Sequence, residues 1–278
     1  MIILAHDGSL YGDWVARYAV SFAAAEGDRK VLALHVLEGK VHRDVVEARF
    51  AQLDRACQGV GVEFLPLYLP LSSSVHRSLR QAVPHEPEAL LVCGTRVKPG
   101  TRAFLGGSVA AKLLRMHQCP VLALRVVQPG LLGNPHELLL PLAGHDAGFA
   151  RVWPVFRRLA GRLRTVHLLR VLPVHHLRQP HLTPTRKQAL RRIGAAHLSR
   201  MVADLAERLP NASLQVERRV VVSTDWPNEV LMQASRLKAQ MILLGVSERS
   251  LAHRVLHGVG LEQVLRETSC DVGVYRGP

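Results

Sequence analysis

Val92-Cys93-Gly94-Thr95-Arg96, then Gly107-Ser108-Val109, then Cys119-Pro120-Val121-Leu122 form one set of landmarks in this chain. Leu243-Leu244-Gly245-Val246-Ser247, Gly258-Val259-Gly260 and Cys270-Asp271-Val272-Gly273 form a second set, displaced throughout by 151 residues. Further toward the amino terminus the displacement shrinks. Val31-Leu32-Ala33-Leu34-His35-Val36-Leu37 aligns with Val166-His167-Leu168-Leu169-Arg170-Val171-Leu172 at 135, so the second copy holds about sixteen extra residues. A repeat this long is a duplicated domain, because solenoid repeats run only to about 50 residues. The expected domains are residues 1–128 and 135–278. Pro129, Gly130, Gly133 and Asn134 punctuate the linker between them.

Each copy alternates apolar runs with amphipathic stretches. Ile2-Ile3-Leu4-Ala5 has the continuous apolar character of a strand buried on both faces. Trp14, Tyr18 and Phe22 recur every four residues and predict a helix with one buried face. Strands are expected at about 31–37, 62–69, 89–94 and 121–126, and helices at 41–57, 72–81 and 108–117, with Pro70 ending the third strand. The second copy repeats the order with strands at 137–142, 165–172, 214–222, 241–245 and 271–275, and helices at 148–162 and 185–209. Alternating strands and helices call for right-handed crossovers and a doubly wound parallel sheet. The fold class is therefore α/β, with two tandem doubly wound domains.

Composition excludes several functional classes. The net charge of +14 is lopsided, since residues 1–128 carry 15 Lys/Arg against 11 Asp/Glu and the rest carry 21 against 11. Such a surface attracts polyanions in a salt-dependent way without choosing a sequence. Specific nucleic-acid binding is not expected, because only 13 Phe, Trp and Tyr are present to stack on bases. Cys57, Cys93, Cys119 and Cys270 form no C-x-x-C pair and read as buried reduced thiols, which points to the cytoplasm. No basic segment followed by an apolar stretch opens the chain, and no run of eighteen apolar residues occurs, so neither secretion nor a membrane span is expected. His175, His176 and His181 lie in the Pro- and His-rich insert without a carboxylate or cysteine at ligand spacing, and no metal site is expected there.

In a doubly wound sheet the ligand crevice lies beyond the carboxyl ends of the strands, where strand order reverses. In the first copy those ends carry His6-Asp7-Gly8-Ser9 and Gly94-Thr95-Arg96, and the second loop runs on to Gly106-Gly107-Ser108. Glycines let the backbone approach a ligand, and amides at a helix start bind anions such as phosphate. Lys98 and Arg102 add positive charge to this loop. Read alone, the same residues also suit a chain turn with Ser108 as a helix cap.

The run from Gly94 through Gly107-Ser108-Val109 to Cys119-Pro120-Val121-Leu122 resembles the signature of the universal stress proteins. That signature has a glycine, two residues, a second glycine, nine residues, then glycine and Ser or Thr. Gly94, the nine residues from Lys98 to Gly106, and Gly107-Ser108 stand in register, while Val97 replaces the second glycine. Asp7-Gly8-Ser9 is similar to the family's Asp-Gly-Ser after the first strand. The resemblance implies a stress-related regulator that binds adenine nucleotide, ATP with or without magnesium. It also implies the site residues: Asp7 near the nucleotide, Val36 beside the adenine, the amides of Gly107, Ser108 and Val109 on the phosphates, and Ser9, Gly94, Thr95 and Arg96 as further nucleotide-binding residues. It further implies dimerisation through last strands, so the apolar edges at 121–125 and 272–275 are expected to pair and pack the copies as an internal pseudo-dimer that removes two exposed edges. A homodimer of chains and a protein partner whose identity the sequence does not give are implied as well.

The second copy departs from this pattern. Ala143-Gly144-His145 stands where Asp7-Gly8-Ser9 is aligned, Glu248 replaces the second glycine, and Val259 replaces Ser108. Two like charges at 4 Å in an effective dielectric of about 20 repel by roughly 4 kcal/mol, so Glu248 disfavours a phosphate. The fold is expected to persist here and the site to be lost. Two rivals to the regulator stand beside it: an interaction module that binds no nucleotide, suggested by Val97, and a slow ATP hydrolase. No His-x-Gly-His, Ser-Gly-Gly-x-Asp-Ser or Walker lysine motif supports a faster enzyme.

Overall fold

The computed structural model describes residues 1–96, 108–142, 147–174, 183–210, 213–246 and 259–277. The first half contains β1 (Ile2–Ala5), α1 (Leu10–Ala24), β2 (Lys30–Leu37), α2 (Arg43–Gln58), β3 (Glu63–Pro70), α3 (Val75–Ala82), β4 (Leu90–Gly94), α4 (Val109–Leu113) and β5 (Val121–Arg125). A short 3-10 turn, Pro129–Leu131, leads into the second half. There follow β6 (Glu137–Pro141), α5 (Ala147–Ala160), β7 (Thr165–Pro173), α6 (Pro184–Arg208), β8 (Gln215–Ser223), α7 (Trp226–Arg236), β9 (Met241–Gly245), α8 (Val259–Glu267) and β10 (Asp271–Arg276).

All ten strands form one sheet in the order β3-β2-β1-β4-β5-β10-β9-β6-β7-β8. Within each half the strands run parallel in the same relative order. The halves meet where β5 and β10 pair antiparallel, with Val272 opposite Arg125, Val274 opposite Ala123 and Arg276 opposite Val121. The expected pairing of last strands is present. Helices cover both faces, one core lying beneath α1, α2, α5 and α6 and the other beneath α3, α4, α7 and α8. Leu4, Val92, Leu122, Leu140 and Leu243 face the first core, whereas Ile3, Leu91, Ala123, Leu139 and Ile242 face the second. This is the period-2 alternation of strands buried on both sides.

Local chemistry sets the ends of the elements. Ser9, Ser74, Ser108 and Thr183 cap α1, α3, α4 and α6 by accepting a hydrogen bond from an amide of the first turn. Asp225 does the same for α7, whose Pro227 sits in the first turn where no donor is needed. Helix α7 is not among the elements expected from the sequence, although the Asp225 cap and Pro227 are its start signal. Pro70 closes β3 instead of preceding a break, and Pro66 lies inside it. Both are tolerated because β3 is an edge strand, whose outward amides pair with nothing in the sheet. Helix α4 ends at Leu113, shorter than the expected 108–117.

The seam between the halves has polar bolts as well as strands. Asp271, fully buried, accepts from the Tyr18 hydroxyl at 2.6 Å and from the Val127 and Gln128 amides at 2.7 and 2.8 Å. Glu26 on the first half takes Arg158 at 2.5 Å and Arg157 at 3.1 Å. Gly133 in the linker has φ +77°, and a Cβ there would come within 2.7 Å of Arg17 and Tyr18 backbone atoms on α1. Only glycine allows the linker to lie so close.

All four cysteines are free and buried. Burial pushes the Cys93 thiol up to about 12, and those of Cys57 and Cys119 up to about 11. Native protein is therefore expected to leave all four thiols unlabelled by a disulfide reagent at neutral pH, and denatured protein to release four equivalents. Rapid labelling of any thiol in the native state would contradict the packing.

Candidate functional site

The strand order places the switch point of the first half between β1 and β4, and a cavity of about 420 Å³ opens there at the carboxyl ends of the strands. Its walls combine two chemistries. Val36, Val75, Leu79 and Leu113 make an apolar slot, while Asp7, Lys40, Thr95, Arg96 and Ser108 supply polar and charged groups. Such a cavity suits a ligand with a flat apolar part and an anionic tail.

The Asp7 turn is held by buried imidazoles. Gly8 has φ +76°, and its amide donates to His6 Nδ1 at 3.0 Å. His6 therefore carries its proton on Nε2 and donates to Asp13 Oδ1 at 3.1 Å, while Arg49 takes the other Asp13 oxygen. His35 Nδ1 donates to the His6 carbonyl at 2.9 Å, which ties β2 to the turn. The turn is rigid because its donors and acceptors meet inside the fold.

Asp7 Oδ1 accepts from the Ser9 hydroxyl at 2.5 Å and the Ser9 amide at 3.0 Å, and Asp7 Oδ2 accepts from Arg96 Nη2 at 3.1 Å. Burial pushes the Asp7 carboxyl up, but the two Ser9 hydrogen bonds and the Arg96 guanidinium outweigh it and hold it below the usual value. Arg96 also reaches the Ser9 hydroxyl and lies over the Tyr11 ring, 4.6 Å from its centre. Tyr11 is itself fixed, donating to the Thr95 carbonyl at 2.7 Å and accepting from the Val126 amide at 2.9 Å. Burial pushes its hydroxyl up to about 12. Gly94 passes so close to this ring that a Cβ would lie 3.1 Å from Tyr11 Cε1.

Of the residues named from the sequence, Asp7, Val36, Gly94, Thr95, Arg96, Ser108 and Val109 line this one cavity. Ser9 stands behind Asp7 as the cap of α1. Gly107, Val97, Lys98 and Arg102 lie outside the described residues, as do Ala143, Gly144, His145, Glu248 and Gly258 of the second copy and the histidines of the insert. Sequence reasoning missed Tyr11, His35 and Lys40 as wall residues. The signal for Tyr11 was its place in the first turn of the helix after Asp7-Gly8-Ser9. His35 was signalled by being the one polar residue in an otherwise apolar run. Among the described residues no helix is long and apolar enough to cross a membrane.

Comparison with solved structures gives likenesses along nearly the whole chain. A universal stress protein from Archaeoglobus fulgidus DSM 4304 is 15% identical, with 98% of this chain and 94% of that one aligned at a TM-score of 0.62. A putative universal stress protein from Pseudomonas aeruginosa UCBPP-PA14 is also 15% identical, covering 99% and 92% at 0.56. The cytoplasmic domain of a prokaryotic cation chloride cotransporter is 12% identical and covers 99% and 95% at 0.58. At these identities the likeness is one of fold. No curated protein matches the chain. Residues 152–276 match the model of the universal stress protein family. The second half of the chain is thus similar in sequence to the universal stress protein family, and the whole chain shares its fold.

Proposed function

We propose that the protein is a stress-related regulator that binds ATP in its first domain, residues 1–128, and uses its second, residues 135–278, as a structural partner. The observation that carries this reading is the cavity at the switch point of β1 and β4, which gathers Asp7, Thr95, Arg96 and Ser108 around an apolar slot. Val36 and Leu113 suit a purine. Arg96, Lys40 and the first turn of α4 suit phosphates, because cations and exposed amides both favour anions. Magnesium, if carried in with the phosphates, would meet the half-exposed Asp7 carboxylate, an oxygen donor of the hard type it prefers. The nucleotide-free interaction module is favoured by one observation, that Asp7 is already engaged by Arg96.

Calorimetric titration with ATP and magnesium is expected to give close to one site per chain. Ser108→Glu is expected to abolish it, since a carboxylate about 4 Å from a phosphate at an effective dielectric near 20 costs roughly 4 kcal/mol, on the order of a thousandfold in affinity. Val259→Glu, at the aligned position of the second copy, is expected to leave binding within about twofold, less than 1 kcal/mol. Two equal sites, no binding, or loss with Val259→Glu alone would reject the reading.

A further inference from the structure

We propose that the outer side of α3 carries a second anion site, a shallow bowl that takes a small molecule bearing a diphosphate. It goes beyond the nucleotide reading. Helix α3 divides two hollows: Val75 and Leu79 face the 420 Å³ cavity, while His76, Arg77 and Arg80 line a separate bowl of about 650 Å³. Arg77 and Arg80 are three residues apart and His76 four before Arg80, so the three project from neighbouring positions of one helix.

Among the described residues the bowl is lined by no carboxylate. Neither Arg77 nor Arg80 has an acidic partner among the described residues, and the Arg77 guanidinium donates to the Ser73 hydroxyl at 3.2 Å. At the far wall Gln118 Nε2 donates to His85 Nε2 at 2.8 Å, which leaves the His85 proton on Nδ1 as a further donor. Gln118 Oε1 is buried without a partner and would accept from a protonated phosphate oxygen or a ligand hydroxyl. Lys112, on α4, adds its charge from the side: burial, Lys112 and Arg80 all push the His76 imidazole below its usual value. Two guanidiniums with no anion between them are the donor set that recognises phosphate oxygens. Their span along the helix, about 5–6 Å between Cβ atoms, suits two linked phosphates better than a single one.

The test uses the full-length chain with inorganic pyrophosphate as the probe and the His76 ring-proton resonance as the reporter, identified by its loss in His76→Asn. An anion in the bowl offsets the neighbouring cations, so pyrophosphate is expected to raise the His76 titration midpoint in a saturable way. The double variant Arg77→Gln, Arg80→Gln, whose fold is checked by circular dichroism, is expected to weaken this response by about tenfold or more for each guanidinium lost. Ser108→Glu, which blocks the nucleotide cavity, is expected to leave the response intact. If Ser108→Glu removed it, pyrophosphate would be sitting in the cavity and this proposal would fail while the nucleotide reading stood. If sodium chloride at equal ionic strength moved the midpoint as far, the effect would be screening, and the site would be rejected.

Discussion

Asp271→Ala is expected to lower the thermal midpoint by roughly 10 °C, the equivalent of about 3–5 kcal/mol in a chain of this size. The carboxylate accepts three hydrogen bonds at the seam, from Tyr18 and from the Val127 and Gln128 amides. Alanine would leave three donors buried without partners, and each such group costs about 1–3 kcal/mol. Asp271→Asn should be far milder, about 1 kcal/mol, since its oxygen still serves both amides and the Tyr18 hydroxyl can accept from its nitrogen. The two acceptors also differ in pH dependence. Burial pushes the Asp271 carboxyl above its ordinary 3.8 despite Tyr18, the two amides and Arg125. The native state therefore holds this proton more tightly than the unfolded chain, and the stability it lends is lost as pH rises through the native value. Thermal melts at several pH values should show wild type gaining on Asp271→Asn as the solution is acidified toward 4. A gap that widened the other way would mean that the carboxylate is stabilised in its charged form.

Gly133→Val should cost a similar amount for a different reason. The residue has φ +77°, where a β-branched side chain is strained by about 1–3 kcal/mol. Its Cβ would also lie 2.7 Å from Arg17 and Tyr18 main-chain atoms on α1, which have no rotamer by which to move away. Overpacking of that kind adds about 1–3 kcal/mol. Gly130→Ala, three residues earlier, is the control: nothing lies within 4 Å of its Cβ, and the melt should shift by no more than about 0.5 kcal/mol. Equal effects at the two glycines would show that the linker does not lie against α1.

The fold was legible because its signals are local and repeated. Ile2-Ile3-Leu4-Ala5, the run Val31–Leu37 and their counterparts in the second half are too apolar to lie anywhere but inside a two-sided sheet. Helix α7 was not legible from periodicity, because its buried face includes Glu229 and Gln233, which bond to each other at 2.7 Å. Periodicity weighs such residues as surface. The cavity was legible as far as glycines and serines mark the ends of strands. Tyr11 and His35 were not, since their roles rest on bonds to the Thr95 carbonyl and the His6 carbonyl, each far away in the sequence. The Asp7–Arg96 pair joins residues 89 apart and has no local signature at all. The family model matches the second half, whereas the motif similar to the family's nucleotide signature lies in the first. The likeness to the family model and the likeness to its nucleotide motif thus lie in different copies.

The antiparallel seam of β5 and β10 has a genetic consequence. Because the two halves run in opposite senses, their strand ends open at opposite margins of the sheet. In a dimer of identical chains every mutation is made twice, so a change that spoils one crevice spoils its twin. Joined in one polypeptide, each half mutates alone. The seam already records such independent drift, for the position of Asp271 is held in the first copy by Pro120, and the bolt to Tyr18 therefore has no carboxylate counterpart at the aligned residue. Selection could relax on one crevice while the other was kept, and the shared sheet would still pass on the stability of the pair.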